Sequence, residues 1–121
     1  MMHAQHFELG TDRTWWLAQL AKAAQSRGEK VAILRTTMFD TPTQHTQLKA
    51  KFESAGVVWS DVEYMACSLG RALCKAHDYA MSHTGLLLAD IGDMGQGLPR
   101  SEFAAILRQI HELPRMQVVF T

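Results

Sequence analysis

Hydrophobic positions along this chain switch repeatedly between the spacing of a helix face and the unbroken run of a buried strand. In residues 14–27, Leu17, Leu20, Ala21 and Ala24 recur at three-and-four spacing, which predicts a helix that Thr11 or Asp12 can cap and Gly28 can close. Residues 31–37 then read as a strand. A second helix opens at Pro42 behind the cap residue Thr41, buries Leu48, Phe52 and Ala55, and ends at Gly56. Residues 57–64 are apolar and β-branched enough for a short strand, and Asp61 and Glu63 place it at a sheet edge. Leu69, Ala72, Leu73, Ala76 and Ala80 form the stripe of a third helix, with Ser68 as its expected cap.

The run Gly85-Leu86-Leu87-Leu88-Ala89-Asp90 has no polar alternation, as expected of a strand covered on both faces. A glycine-rich connection over residues 91–98 leads to a last helix, opened by Pro99, with Phe103, Ile106, Leu107 and Ile110 on one side. Pro114 stops it, residues 116–120 supply the final strand, and residues 6–9 are expected to supply the first. Strand and helix therefore alternate from end to end. The expectation is α/β: a single three-layer domain over residues 1–121, with a mainly parallel sheet of about five strands and helices on both faces.

Composition narrows the function classes. Twelve basic residues balance twelve acidic ones, so no global field draws the chain to nucleic acid or to an anionic membrane. No apolar run is long enough for a membrane span and no secretory leader is apparent, which points to a cytoplasmic protein. Cys67 and Cys74 fall in a segment that reads as helix, about 10 Å apart at about 1.5 Å per residue, too far for a disulfide. Free thiols fit the same reducing compartment.

The strand Val31-Ala-Ile-Leu-Arg-Thr-Thr, behind a helix that ends Arg-Gly-Glu-Lys, resembles the opening of a RecA-like P-loop NTPase core. Leu86 to Asp90 likewise looks like a Walker B strand, and residues 117–121 look like the strand that follows it. That resemblance implies the strand order 3-2-4-1-5. A working phosphate loop would read G-x-x-x-x-G-K-[ST], but the first turn here is Gly10-Thr11-Asp12-Arg13-Thr14-Trp15-Trp16. It has one glycine, no lysine beside a hydroxyl residue, and an aspartate that repels triphosphate. ATP hydrolysis is not expected. In length and element order, with Ser82-His83-Thr84 and Ala55-Gly56-Val57, the chain is similar to the family of the bacterial cell-division inhibitor SulA. That likeness implies a module that acts by binding another protein.

Other residues carry chemistry of their own. Asp90 and Asp93 flank the turn where α/β sheets bind ligands, and both could hold Mg²⁺ through water, although a hydrogen-bonding role for Asp90 in the turn is the plainer reading. Gly92, Gly95 and Gly97 make the Asp90–Gly97 loop a candidate ligand-binding segment, against the plainer reading of a surface loop. The spacing of His77, His83 and His111 fits no metal site, and His3 could chelate Cu(II) only incidentally. Cys74 and His77 share a helix face, yet no third residue is placed to orient the histidine. No cofactor or metal is expected. Trp15 and Trp16 point about 100° apart on one helix, so one should pack inward and the other should be a contact residue. Trp59, which reads as exposed, and Arg13 complete the candidate partner-binding set, the partner being another protein or a second copy. The reading is a non-catalytic protein-binding or regulatory module; the alternative is a small enzyme or ligand-binding protein using the Asp90–Gly97 loop.

Overall fold

The computed structural model describes residues 2–4, 13–36, 41–90, 100–112 and 116–120. In chain order these form β1 (Met2–Ala4), α1 (Arg13–Ser26), β2 (Val31–Thr36), α2 (Pro42–Ser54), β3 (Val62–Cys67), α3 (Ala72–Ser82), β4 (Gly85–Asp90), α4 (Arg100–Glu112) and β5 (Met116–Phe120). Among the described residues no helix is long and apolar enough to cross a membrane.

The fold is α/β with an all-parallel sheet. Its body is β3-β2-β4-β5, and β1 pairs with the outer side of β5. The expected order 3-2-4-1-5 is thus corrected, because β4 and β5 pair directly from Gly85↔Met116 to Ala89↔Phe120. A strand of 3 residues has few backbone pairs to offer, and an edge position beside the 5-residue β5 asks for fewer than a slot inside the sheet. The expected first strand, residues 6–9, lies outside the described residues.

Side-chain alternation divides the interior into two clusters. Val31, Ile33, Leu86, Leu88 and Val119 face α1 and α2 through Leu17, Ala21, Leu48 and Phe52. Ala32, Leu34, Leu87, Ala89 and Val118 face α3 and α4 through Leu73, Ala76 and Ile110. A period of two along each strand sends successive residues to opposite faces, so both must be apolar. Every residue of β2 is buried, as is every residue of β4 after Gly85.

Local signals explain the ends of the first helices. Thr41 caps α2, its hydroxyl accepting the Gln44 N–H at 3.2 Å. After α1, Gly28 takes φ +76° while its N–H reaches the Gln25 carbonyl at 3.0 Å and the Glu29 N–H reaches Ala24 at 3.0 Å. After α2, Gly56 at φ +93° repeats the pattern, with Val57 bonding back to Phe52 at 3.0 Å. This left-handed closure satisfies carbonyls that the helix leaves unpaired. The Gln25 side chain then ties the two ends together, donating to the Val58 carbonyl at 3.0 Å and accepting its N–H at 2.9 Å.

Around β3 the structure departs from the expectation. Residues 59–61 form a 3-10 turn, and the strand begins at Val62 and runs on to Cys67. It does lie at the sheet edge, beside β2. Extending the strand removes Cys67 from the helix, so the two cysteines do not share one helical segment; both are free thiols. It also displaces the helix start. The Arg71 N–H bonds the Ser68 carbonyl at 3.0 Å, residues 69–71 make a second 3-10 turn, and α3 begins at Ala72 with Arg71, not Ser68, at its cap position.

Candidate functional site

Parallel pairing of β2 with β4 sets Arg35 opposite Asp90 in the last register position of the pair. Alternation turns both toward the α1/α2 face, the side of Ile33 and Leu88. The first residue of α1, Arg13, reaches the same point. Its Nε lies 3.1 Å from Asp90 Oδ1, and the Arg35 Nε lies 3.3 Å from Asp90 Oδ2. The side chains of Asp90 and Arg35 are 2% and 8% exposed, whereas that of Arg13 is 33% exposed. One buried carboxylate therefore sits between two guanidiniums.

The cluster stands at the carboxyl ends of two neighbouring strands whose connections diverge, since β2 leads to β3 on one side and β4 leads to β5 on the other. Open α/β sheets bind ligands in the crevice at such a point. Asp90 was the residue expected here, and Arg13 was expected in the partner-binding set; the structure joins them. Arg35 was missed. Its signal is a cation directly after the apolar run of residues 31–34, at the same strand parity as Ile33. Two guanidiniums beside Asp90 repel a cation, which argues against Mg²⁺ there. Asp93 and Gly95 lie outside the described residues, as do Gly92, Gly97 and Gly10 to Asp12. Among the described residues no group of three His, Cys, Asp or Glu side chains could hold a metal.

The tryptophan pair divides as helical geometry requires. Trp15 is 58% exposed, while Trp16 packs against the α1/α2 cluster. With Gln19 of α1 and Lys51, Ser54 and Ala55 at the end of α2, Trp15 lines a cavity of about 320 Å³. Trp59 corrects the expectation of exposure. It is half-buried, edge-on to Phe52 with centroids 5.6 Å apart and to His45 at 5.8 Å, with Tyr64 tilted at 6.2 Å. An indole so enclosed by rings serves the packing of α2 on β3.

Other described titratable groups sit on other elements. Cys74 is exposed on α3, and the His77 Nδ1 lies 3.6 Å from Asp78. Burial pushes the Cys67 thiol above its ordinary range, opposed by the Lys75 charge. Tyr79 donates its hydroxyl to Glu63 Oε2 at 2.6 Å and stacks on His83 with centroids 3.8 Å apart. A cavity of about 710 Å³ opens near the amino ends of β2 and β3, lined by Gln25, Glu29, Lys30, Asp61 and Glu63 among others. Its polar groups carry both signs and converge on no single chemistry.

No protein-family model, curated protein or solved structure matches this chain.

Proposed function

We propose that this chain is a non-catalytic protein-binding or regulatory module of the cytoplasm, built on a three-layer, five-stranded parallel sheet that resembles a RecA-like core in its element order, though not in its strand order, and lacks a working phosphate loop. One observation carries the reading. Trp15 is 58% exposed at a cavity between α1 and α2, while the adjacent Trp16 supplies the packing that helix α1 needs. The exposed part of the Trp15 ring borders that cavity, and large aromatic rings beside a recess anchor protein interfaces. The free thiols Cys67 and Cys74 suit a reducing compartment.

The test is Trp15→Ala, compared with wild type by sedimentation velocity and by photo-crosslinking from position Gln19 in the native host. Because Trp15 contributes little to the core, circular dichroism should be unchanged. Loss of a hot-spot ring should weaken self-association or partner capture by about 30-fold, equivalent to about 2 kcal/mol. A folded variant with unaltered sedimentation and an unaltered crosslinking pattern would remove this surface from consideration. A second reading, ligand binding at the carboxyl ends of the strands, is favoured by the buried guanidinium of Arg35.

A further inference from the structure

We propose that the Arg35 guanidinium seats an oxyanion, a carboxylate or phosphate group, at the carboxyl ends of β2 and β4. This does not rest on the Trp15 surface.

Charge comes first. Arginine does not shed its proton in proteins, so Arg13 and Arg35 bring two positive charges to the single negative charge of Asp90. The trio keeps a surplus of one positive charge. Arg35 as a residue is 7% exposed, so its charge is screened by Asp90 and not by water, and Asp90 is shared with Arg13. Bound anion neutralises it.

The donors agree with the charge. Arg35 Nη1 is buried and has no hydrogen-bond acceptor among the described residues; Nε lies near Asp90 without a well-aligned hydrogen bond. Buried N–H groups of a guanidinium are strong, directional donors, and oxyanions accept them readily. Helix α1 begins at Arg13 and has no acidic residue in its own first turn, so its positive end adds to the field at this point. Thr36 also has a buried hydroxyl without a hydrogen-bond partner among the described residues, but alternation turns it to the α3/α4 face and away from Asp90.

Asp90 sets the preference within this class. Its carboxylate repels an approaching anion, so only the surplus single charge is available for neutralisation, and a monoanion suffices. Occupancy then depends on Arg35 far more than on Arg13, whose side chain is one-third exposed and shares its charge with solvent.

The experiment titrates the full chain with acetate, with inorganic phosphate and with chloride at matched ionic strength, reading thermal unfolding and the Arg35 Nε–H resonance. At ten times the half-saturating concentration the bound anion should raise the unfolding midpoint by about 5 °C. The Arg35 resonance should move along the same saturation curve. Arg35→Gln should abolish both effects, and Arg35→Lys should weaken binding by about tenfold or more because the planar fork is lost. If Arg35→Gln folds poorly, Arg35→Gln/Asp90→Asn removes both charges of that pair and provides the comparison. A response to acetate alone identifies a carboxylate, a response to phosphate alone a phosphate group, and either supports the site. Chloride acting as strongly as both, or saturation that persists unchanged in a folded Arg35 variant, would overturn it.

Discussion

Replacing Leu87 with alanine tests whether β4 is the centre of the sheet. Leu87 is fully buried, lies on the α3/α4 face, and is flanked in register by Ala32 of β2 and Val118 of β5. The change removes three carbons, worth about 2.4 kcal/mol at about 0.8 kcal/mol for each buried methylene-sized group. A cavity term adds to this, and its size depends on how far the neighbours collapse. Here Ala32, Ala72, Ala76, Ala80 and Ala89 share the cluster, and alanine has no rotamers with which to fill a gap. Backbone hydrogen bonds to strands on both sides hold β4 in place. The expected loss is therefore about 3–5 kcal/mol, in the upper part of the range for such substitutions. Equilibrium urea unfolding, followed by tryptophan fluorescence and circular dichroism, measures it. A loss this large can exhaust a marginal fold. Leu87→Val, which removes one carbon and should cost about 1 kcal/mol, supplies a second point on the same line. A loss below about 1 kcal/mol for the alanine variant would show that this side chain is not enclosed and that the order of the central strands is wrong.

Gly85→Ala should destabilise the fold by about 1–3 kcal/mol or more, because Gly85 has φ +112° and a β-carbon there would run into the Lys30 backbone carbonyl. Gly70→Ala, with open space around the added carbon, should change stability by less than about 0.5 kcal/mol; equal effects at the two positions in urea unfolding would contradict the packing of β4 against the start of β2. Burial first, then the hydrogen bond to Glu63 and the Glu63 charge, raise the Tyr79 phenol above its ordinary value. The neutral phenol is thus favoured by the folded state, and its stabilisation is fully present below about pH 10, the unfolded value, and lost as pH rises toward the higher folded value. Tyr79→Phe should cost about 1–2 kcal/mol at pH 7, and the gap to wild type should narrow as pH rises above about 10; a gap that stays constant there would rule out the linkage.

Anion binding and protein binding need not compete in this molecule. Arg13 opens α1 and Trp15 follows within its first turn, so one helix carries both the exposed ring and one guanidinium of the charged cluster. An anion seated on Arg35 would change the field around Arg13.

What the sequence determines by itself is local. Apolar runs without alternation mark β2 and β4 as strands buried on both faces, and three-and-four spacing marks the helices, because each pattern reports which sides of a short segment avoid water. Thr41, Gly28 and Gly56 announce helix ends for the same reason, since each acts on backbone groups a few residues away. Even the division of Trp15 from Trp16 follows from helical geometry, although which ring faces inward depends on where α2 lies.

The tertiary structure decides everything that depends on residues distant in the chain. Cys67 belongs to β3 because the edge strand pairs with β2 as far as Thr36, a fact absent from the helix-like spacing around it. Trp59 is half-buried because Phe52, His45 and Tyr64 converge on it from α2 and β3. Asp90 was visible as the end of an apolar run, but its two arginines were not. Arg35 meets it only because β2 and β4 are adjacent and parallel in one particular register, and Arg13 meets it only because α1 packs on that face of the sheet. Register is set by the summed burial of whole strands, so the charged pair at its end is a consequence of packing that no short window of sequence contains.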